Sequence, residues 1–167
     1  MSSSITNNQS TVYSAGSINE CGVIDDLKRR GFTIFNCLCE IIANSIDAKV
    51  KEIVFIIAPD YIKIVDYGTG MNFDKLNDMF DMLKSNHLNE KSMGISGIGG
   101  KAATLTLSKE QNVSIYTFDG TKYLTANVPW KDIREQKRYI NMIKITSMSD
   151  GEIETFKLDR DESGTTI

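Results

Sequence analysis

The chain has 167 residues, 41% of them hydrophobic, and a net charge of −3; this is enough for one domain with a core and leaves no basic surface dedicated to nucleic acid. No apolar run is long enough to span a bilayer, and the polar N-terminus lacks the charged and apolar regions of a signal peptide. Three cysteines and one histidine do not fall at metal-ligand spacing, and Cys37 and Cys39 point to different sides of a helix, so the expected setting is an intracellular, reducing compartment, cytoplasm or nucleus.

Residues 1–20 are rich in Ser, Asn and Thr and are expected to form a flexible arm, with the domain proper over 21–167. A short helix is predicted from Val23 to Arg30, ending at Gly31. From Thr33 to Ala48, Phe35, Leu38, Ile42 and Ile46 recur at helical spacing and predict an apolar stripe. Glu40, Asn44 and Asp47 share that spacing on a neighbouring stripe. A carboxylate there can accept a proton from water, and an amide oxygen can ligate a hard cation such as Mg²⁺. The same residues also describe a solvated helix face.

After Ala48 the period becomes extended. Val50–Ala58 and Tyr61–Asp66 predict strands joined across Pro59-Asp60. The second strand runs into Asp66-Tyr-Gly68-Thr-Gly70-Met71, where glycines permit a sharp turn close to whatever Asp66 faces. An acceptor-only carboxylate suits an exocyclic amine such as that of adenine, although such a turn also serves as a plain strand-to-loop connection.

Asn72–Lys84 predicts a helix with Phe73, Leu76, Met79, Phe80 and Leu83 on one face. Ser85–Lys101 then loses apolar period and gains Gly94, Gly97, Gly99 and Gly100 before helical character resumes at Ala102. Backbone N–H groups of a glycine-rich turn feeding a helix make an anion site to which Lys101 adds charge; a flexible linker is the other reading. Asn112–Phe118 and Lys122–Val128 predict a hairpin across Asp119-Gly120, followed by core or edge Trp130 and a charged connector, Lys131–Arg138. Met142–Met148 and Glu152–Leu158 predict a further hairpin across Ser149-Asp150-Gly151. Gly164–Ile167 reads as the start of another strand, as expected of a piece of a longer protein.

Four of these signals, in this order, resemble the GHKL superfamily of ATPases, which includes type II topoisomerases and gyrase, the ninety-kilodalton heat-shock chaperones, histidine kinases, MutL proteins and MORC proteins. Glu40-x-x-x-Asn44-x-x-Asp47-Ala48 is similar to its first motif, Asp66-x-Gly68-x-Gly70-Met71 to the second, Gly94-x-x-Gly97-Ile98-Gly99-Gly100-Lys101 to the third and Gly164-Thr165 to the last. The resemblance covers about Phe32 to Ile167.

The resemblance implies a Bergerat fold, an α/β (α+β) two-layer sandwich whose mixed, mostly antiparallel sheet is covered on one face by helices. ATP would lie between the helices under a lid at about His87–Gly99. Glu40 would be the general base for the attacking water, Asn44 would ligate Mg²⁺, and Asp66 would bind the adenine amine with support from Gly68, Gly70, Met71 and Thr165. Asp47 and Ala48 complete the first motif. The turn at Gly94, Gly97, Ile98, Gly99 and Gly100 would cradle the phosphates, with Lys101 facing charge at the γ-phosphate. Glu40 favours the hydrolysing branches, with patterns similar to MORC, chaperone and MutL proteins. The resemblance further implies ATP-driven homodimerisation and a DNA or protein client engaged through parts outside this chain. A non-catalytic, ATP-gated interaction module is the alternative.

Overall fold

The computed structural model describes residues 20–29, 31–48, 50–81, 99–159 and 162–167. Residues 1–19 of the predicted arm, and within the predicted lid Gly94, Gly97 and Ile98, lie outside the described residues, whereas Glu20, the last residue of that predicted arm, opens the first helix.

The chain builds a six-stranded sheet in the order β1-β2-β6-β3-β4-β5. β1 (Ile53–Ile57) and β2 (Ile62–Asp66) form the predicted first hairpin, and β3 (Asn112–Phe118) and β4 (Tyr123–Pro129) the second. β5 (Lys144–Ser147) adds to β4, and β6 (Gly164–Thr166) enters between β2 and β3. Every one of these pairings is antiparallel. Ile64, Ile115, Leu124 and Ala126 alternate inward along their strands, as a half-covered antiparallel sheet requires.

Helices α1 (Glu20–Arg29), α2 (Ile34–Asp47), α3 (Phe73–Asp78), α4 (Gly99–Leu107) and α5 (Trp130–Gln136) precede and follow these strands. Thr33 caps α2 by accepting the Asn36 N–H at 3.2 Å, and Asn72 caps α3 by accepting that of Lys75 at 3.0 Å. One core cluster joins Leu76 of α3, Leu105 of α4 and Ile133 of α5 to Val113, Ile115, Leu124, Ala126 and Val128 of β3 and β4. The other joins Cys37 and Ile41 of α2 to Ala103 of α4 and Ile64 of β2. Leu76 is the buried residue of the short α3; burying such a side chain contributes about 2 kcal/mol, which anchors a helix too short to stand alone. The result is an α/β two-layer sandwich.

Several local readings change, among them the helix predicted over Asn72–Lys84, which ends at Asp78 and leaves Phe73 54% exposed. Glu152–Leu158 is not a strand: α6 (Asp150–Asp159) occupies that stretch and lays Phe156 against Tyr123 on the other face of the sheet, with ring centroids 6.0 Å apart. A capping box starts it, because Ser149 N–H donates to Glu152 Oε2 at 2.8 Å and Glu152 N–H returns to Ser149 Oγ at 3.4 Å. The connector after Trp130 is helical, and Trp130 itself is core. On α2 the buried face is Cys37, Ile41 and Ser45, whereas Phe35 and Ile46 are 74% and 53% exposed. The neighbouring α4 presents Gly99 and Ala103, so the two helices approach closely and their seam takes small or compact side chains.

Candidate active site

Two groups of predicted residues come together on the helix-covered face. The first spans α2 and α4. Glu40 follows the buried Cys37 by almost one turn, which directs its carboxylate at the N-terminus of α4. The place that a Cβ at Gly99 would occupy is taken by Glu40 Oε2 and Cδ. One turn along α2, Asn44 Nδ2 lies 3.5 Å from the position of a Cβ on Gly100. A carboxylate and a carboxamide therefore flank the first turn of α4, where helix N–H groups and the helix dipole favour an anion. The side-chain oxygen of Asn44 is the one that could hold a hard cation beside such an anion.

The second group lies at the end of β2. Asp66 Oδ1 accepts the N–H of Gly68 at 3.0 Å and that of Thr165 at 3.2 Å, so its own turn and β6 fix the carboxylate. An ionised carboxylate is acceptor-only, the polarity that a ligand's amine requires. Gly70 has φ +65, and a Cβ there would overlap the backbone carbonyl of Phe118. Met71 N–H donates to Thr117 Oγ1 at 2.8 Å, and Ser163 Oγ donates to Gly68 O at 2.9 Å. The predicted loop residues Gly68, Gly70 and Met71 are thus tied to β3 and β6.

Lys101 stands apart from Glu40. Two positions beyond Gly99 on a helix turn its direction by about 200°, and it is 3% exposed. Burial lowers its ammonium pKa to about 8, against an opposing pull from the nearby Asp81 carboxylate. Burial likewise raises the phenol of Tyr139, with Asp81 adding to the shift, and that phenol donates to Phe80 O at 2.7 Å. Asp47 is half-buried near the end of α2, and Ala48 caps that helix.

Thr117 and Ser163 were not singled out by the sequence. Thr117 is an inward position of an alternating strand, and only the insertion of β6 beside it reveals its partners. Ser163 precedes Gly164-Thr165 and carried no signal of its own.

No curated protein matches the chain. Residues 32–165 match the family described as histidine kinase-, DNA gyrase B-, and HSP90-like ATPase. The match begins just before α2 and ends at Thr165, so it contains both groups of site residues. The chain belongs to this family and contains an ATP-binding domain of the GHKL type.

Proposed function

We propose that the domain hydrolyses Mg²⁺-ATP slowly, and that ATP closure pairs two copies and drives a larger DNA- or protein-handling machine. The observation that carries the catalytic part is the Glu40 carboxylate packed against Gly99 at the start of α4. A phosphate chain seated on that helix N-terminus would put its terminal group beside the carboxylate, which would orient water and accept its proton. Asn44 would contribute one oxygen to Mg²⁺. The donor set fits, because Mg²⁺ carried on phosphates keeps several waters and needs few protein ligands. Lys101 would counter the charge at the γ-phosphate, a role that requires its amine to turn from Asp81 towards the ligand.

At the other end, Asp66 would read the adenine amine, with Gly68, Gly70 and Met71 giving close approach and Thr165 holding the carboxylate. Gly94, Gly97 and Ile98, with Gly99 and Gly100, would complete the phosphate cradle. Closure and release, rather than chemistry, would set the rate. The setting is taken as intracellular; among the described residues no helix is long and apolar enough to cross a membrane.

The second reading is an ATP-gated interaction module without meaningful turnover. Glu40→Ala separates the two. A hydrolase keeps ATP binding and loses at least about 100-fold in turnover, within the range for a lost general base; a switch shows no change. Mass measured with and without a non-hydrolysable analogue tests pairing, and an unchanged mass removes the dimer from the account.

A further inference from the structure

We infer that the cavity between α6 and the sheet face turned away from Glu40 and Asp66 binds a small organic amine, whose hydrocarbon part fills it and whose ammonium meets Glu152. The inference is independent of the ATP reading. Side chains alternate across a strand, so Lys63, Tyr116 and Thr166 point away from the side of Asp66, Thr117 and Thr165. Helix α6 lies on that face and is seated there by Phe156, which is 3% exposed, while Gly151, Glu154 and Thr155 stay exposed. Between helix and sheet is a cavity of about 370 Å³, walled by Tyr116, Thr166 and Lys63 from the sheet and by Glu152, Thr155 and Phe156 from the helix. Its size is that of a small-molecule site.

The charges of the lining set the class of ligand. Glu152 Oε2 accepts the N–H and the Oγ–H of Ser149, each at 2.8 Å. Both donors are neutral and both bonds fall on one oxygen, and among the described residues no cation pairs with this carboxylate. Lys63, the cation of the lining, already has a partner within the protein. The charge that a ligand can add with profit is therefore positive, because a charge-assisted bond to a carboxylate is stronger than one from a neutral group. Tyr116 and Phe156 contribute aromatic rings, which attract an ammonium and accept a hydrocarbon body. An anionic ligand would instead place like charge beside Glu152.

The probe is phenethylamine, compared with hydrocinnamate, which carries a similar hydrocarbon body and the opposite charge. Titrations of the full 167-residue chain, followed through the backbone amide signals by NMR, give affinity and location together. The amine should bind saturably, with shifts centred on Tyr116, Phe156 and Thr166, and at least about 5-fold more tightly than the carboxylate. Glu152→Gln removes the charge and keeps a side chain able to complete the capping box with Ser149. It should weaken the amine by about 5-fold or more and leave the carboxylate unchanged or slightly tighter. Failure of the amine to saturate, equal affinity for the two probes, shifts centred on α4 or on the Gly68–Met71 turn, or an equal loss of both probes in Glu152→Gln overturns the inference. If Glu152→Gln does not fold, the two probes on wild type decide by the same criteria.

Discussion

The Glu40 carboxylate fills the place that a side chain on Gly99 would need. Because that carboxylate is the far end of a flexible side chain, a methyl group at Gly99 can displace it without moving backbone. Gly99→Ala should therefore leave the melting temperature nearly unchanged, because at the first residue of α4 alanine gains less over glycine than in a helix interior. Hydrolysis should fall by roughly 10- to 100-fold as the carboxylate leaves its position. Parallel thermal melts and steady-state ATPase assays check both parts.

Gly70 makes the opposite contrast. Its φ is +65 and the obstruction is the Phe118 carbonyl, which is backbone in β3. Gly70→Ala should cost at least about 2 kcal/mol through left-handed strain and displaced backbone. Denaturant unfolding followed by the fluorescence of the single tryptophan, the buried Trp130, measures it.

Lys101 gives a pH signature. Its folded pKa of about 8 lies below the ordinary 10.5. Between those values the unfolded chain holds a proton that the folded chain has lost, so stability should rise with pH through that window and lie flat below it. The rise should not exceed roughly 3 kcal/mol, and Lys101→Met should remove it. If the amine meets phosphate, the ligand will raise its pKa, and ATP binding at pH 8 should take up about half a proton. Calorimetry in buffers of different ionisation enthalpy reads this uptake, which Lys101→Met should abolish.

Glu20 joins α1 to the segment after α5. Its carboxylate accepts the N–H of Ile140 at 2.9 Å and of Tyr139 at 2.7 Å, and these bonds hold its pKa below the usual carboxylate value, with Arg138 assisting. A lowered folded pKa means the contribution is complete above the unfolded value and is lost as pH falls through the folded one. Amide exchange in α1 should accelerate at acid pH in wild type, and Glu20→Ala should show the faster exchange already at neutral pH.

The hairpins β1–β2 and β3–β4 and the turn after Asp66 were legible because they depend on local rules: β-branched runs, Asp119-Gly120, and glycines after Asp66. The core face of α2 was not. Periodicity selected the large residues Phe35 and Ile46, whereas the small residues of α4 decide which face of α2 can approach. The helix α6 was hidden by the strand-like composition of Glu152–Leu158, although Ser149-x-x-Glu152 was a readable capping box. No local signal could place β6 between β2 and β3, because its partners Thr117 and Asp66 lie 48 and 99 residues before Thr165. That placement brings Thr165 to Asp66 and Thr117.

Calorimetric titration of wild type and Asp66→Asn with a non-hydrolysable ATP analogue and Mg²⁺ tests the central claim most directly. Asparagine can keep the internal bonds to Gly68 and Thr165 through its oxygen while turning a donor towards the adenine amine. Saturable binding by wild type that weakens at least about 100-fold in Asp66→Asn is the predicted result, as expected where a buried acceptor is replaced by a donor. Equal binding by the two proteins, or no binding by wild type, would contradict the account.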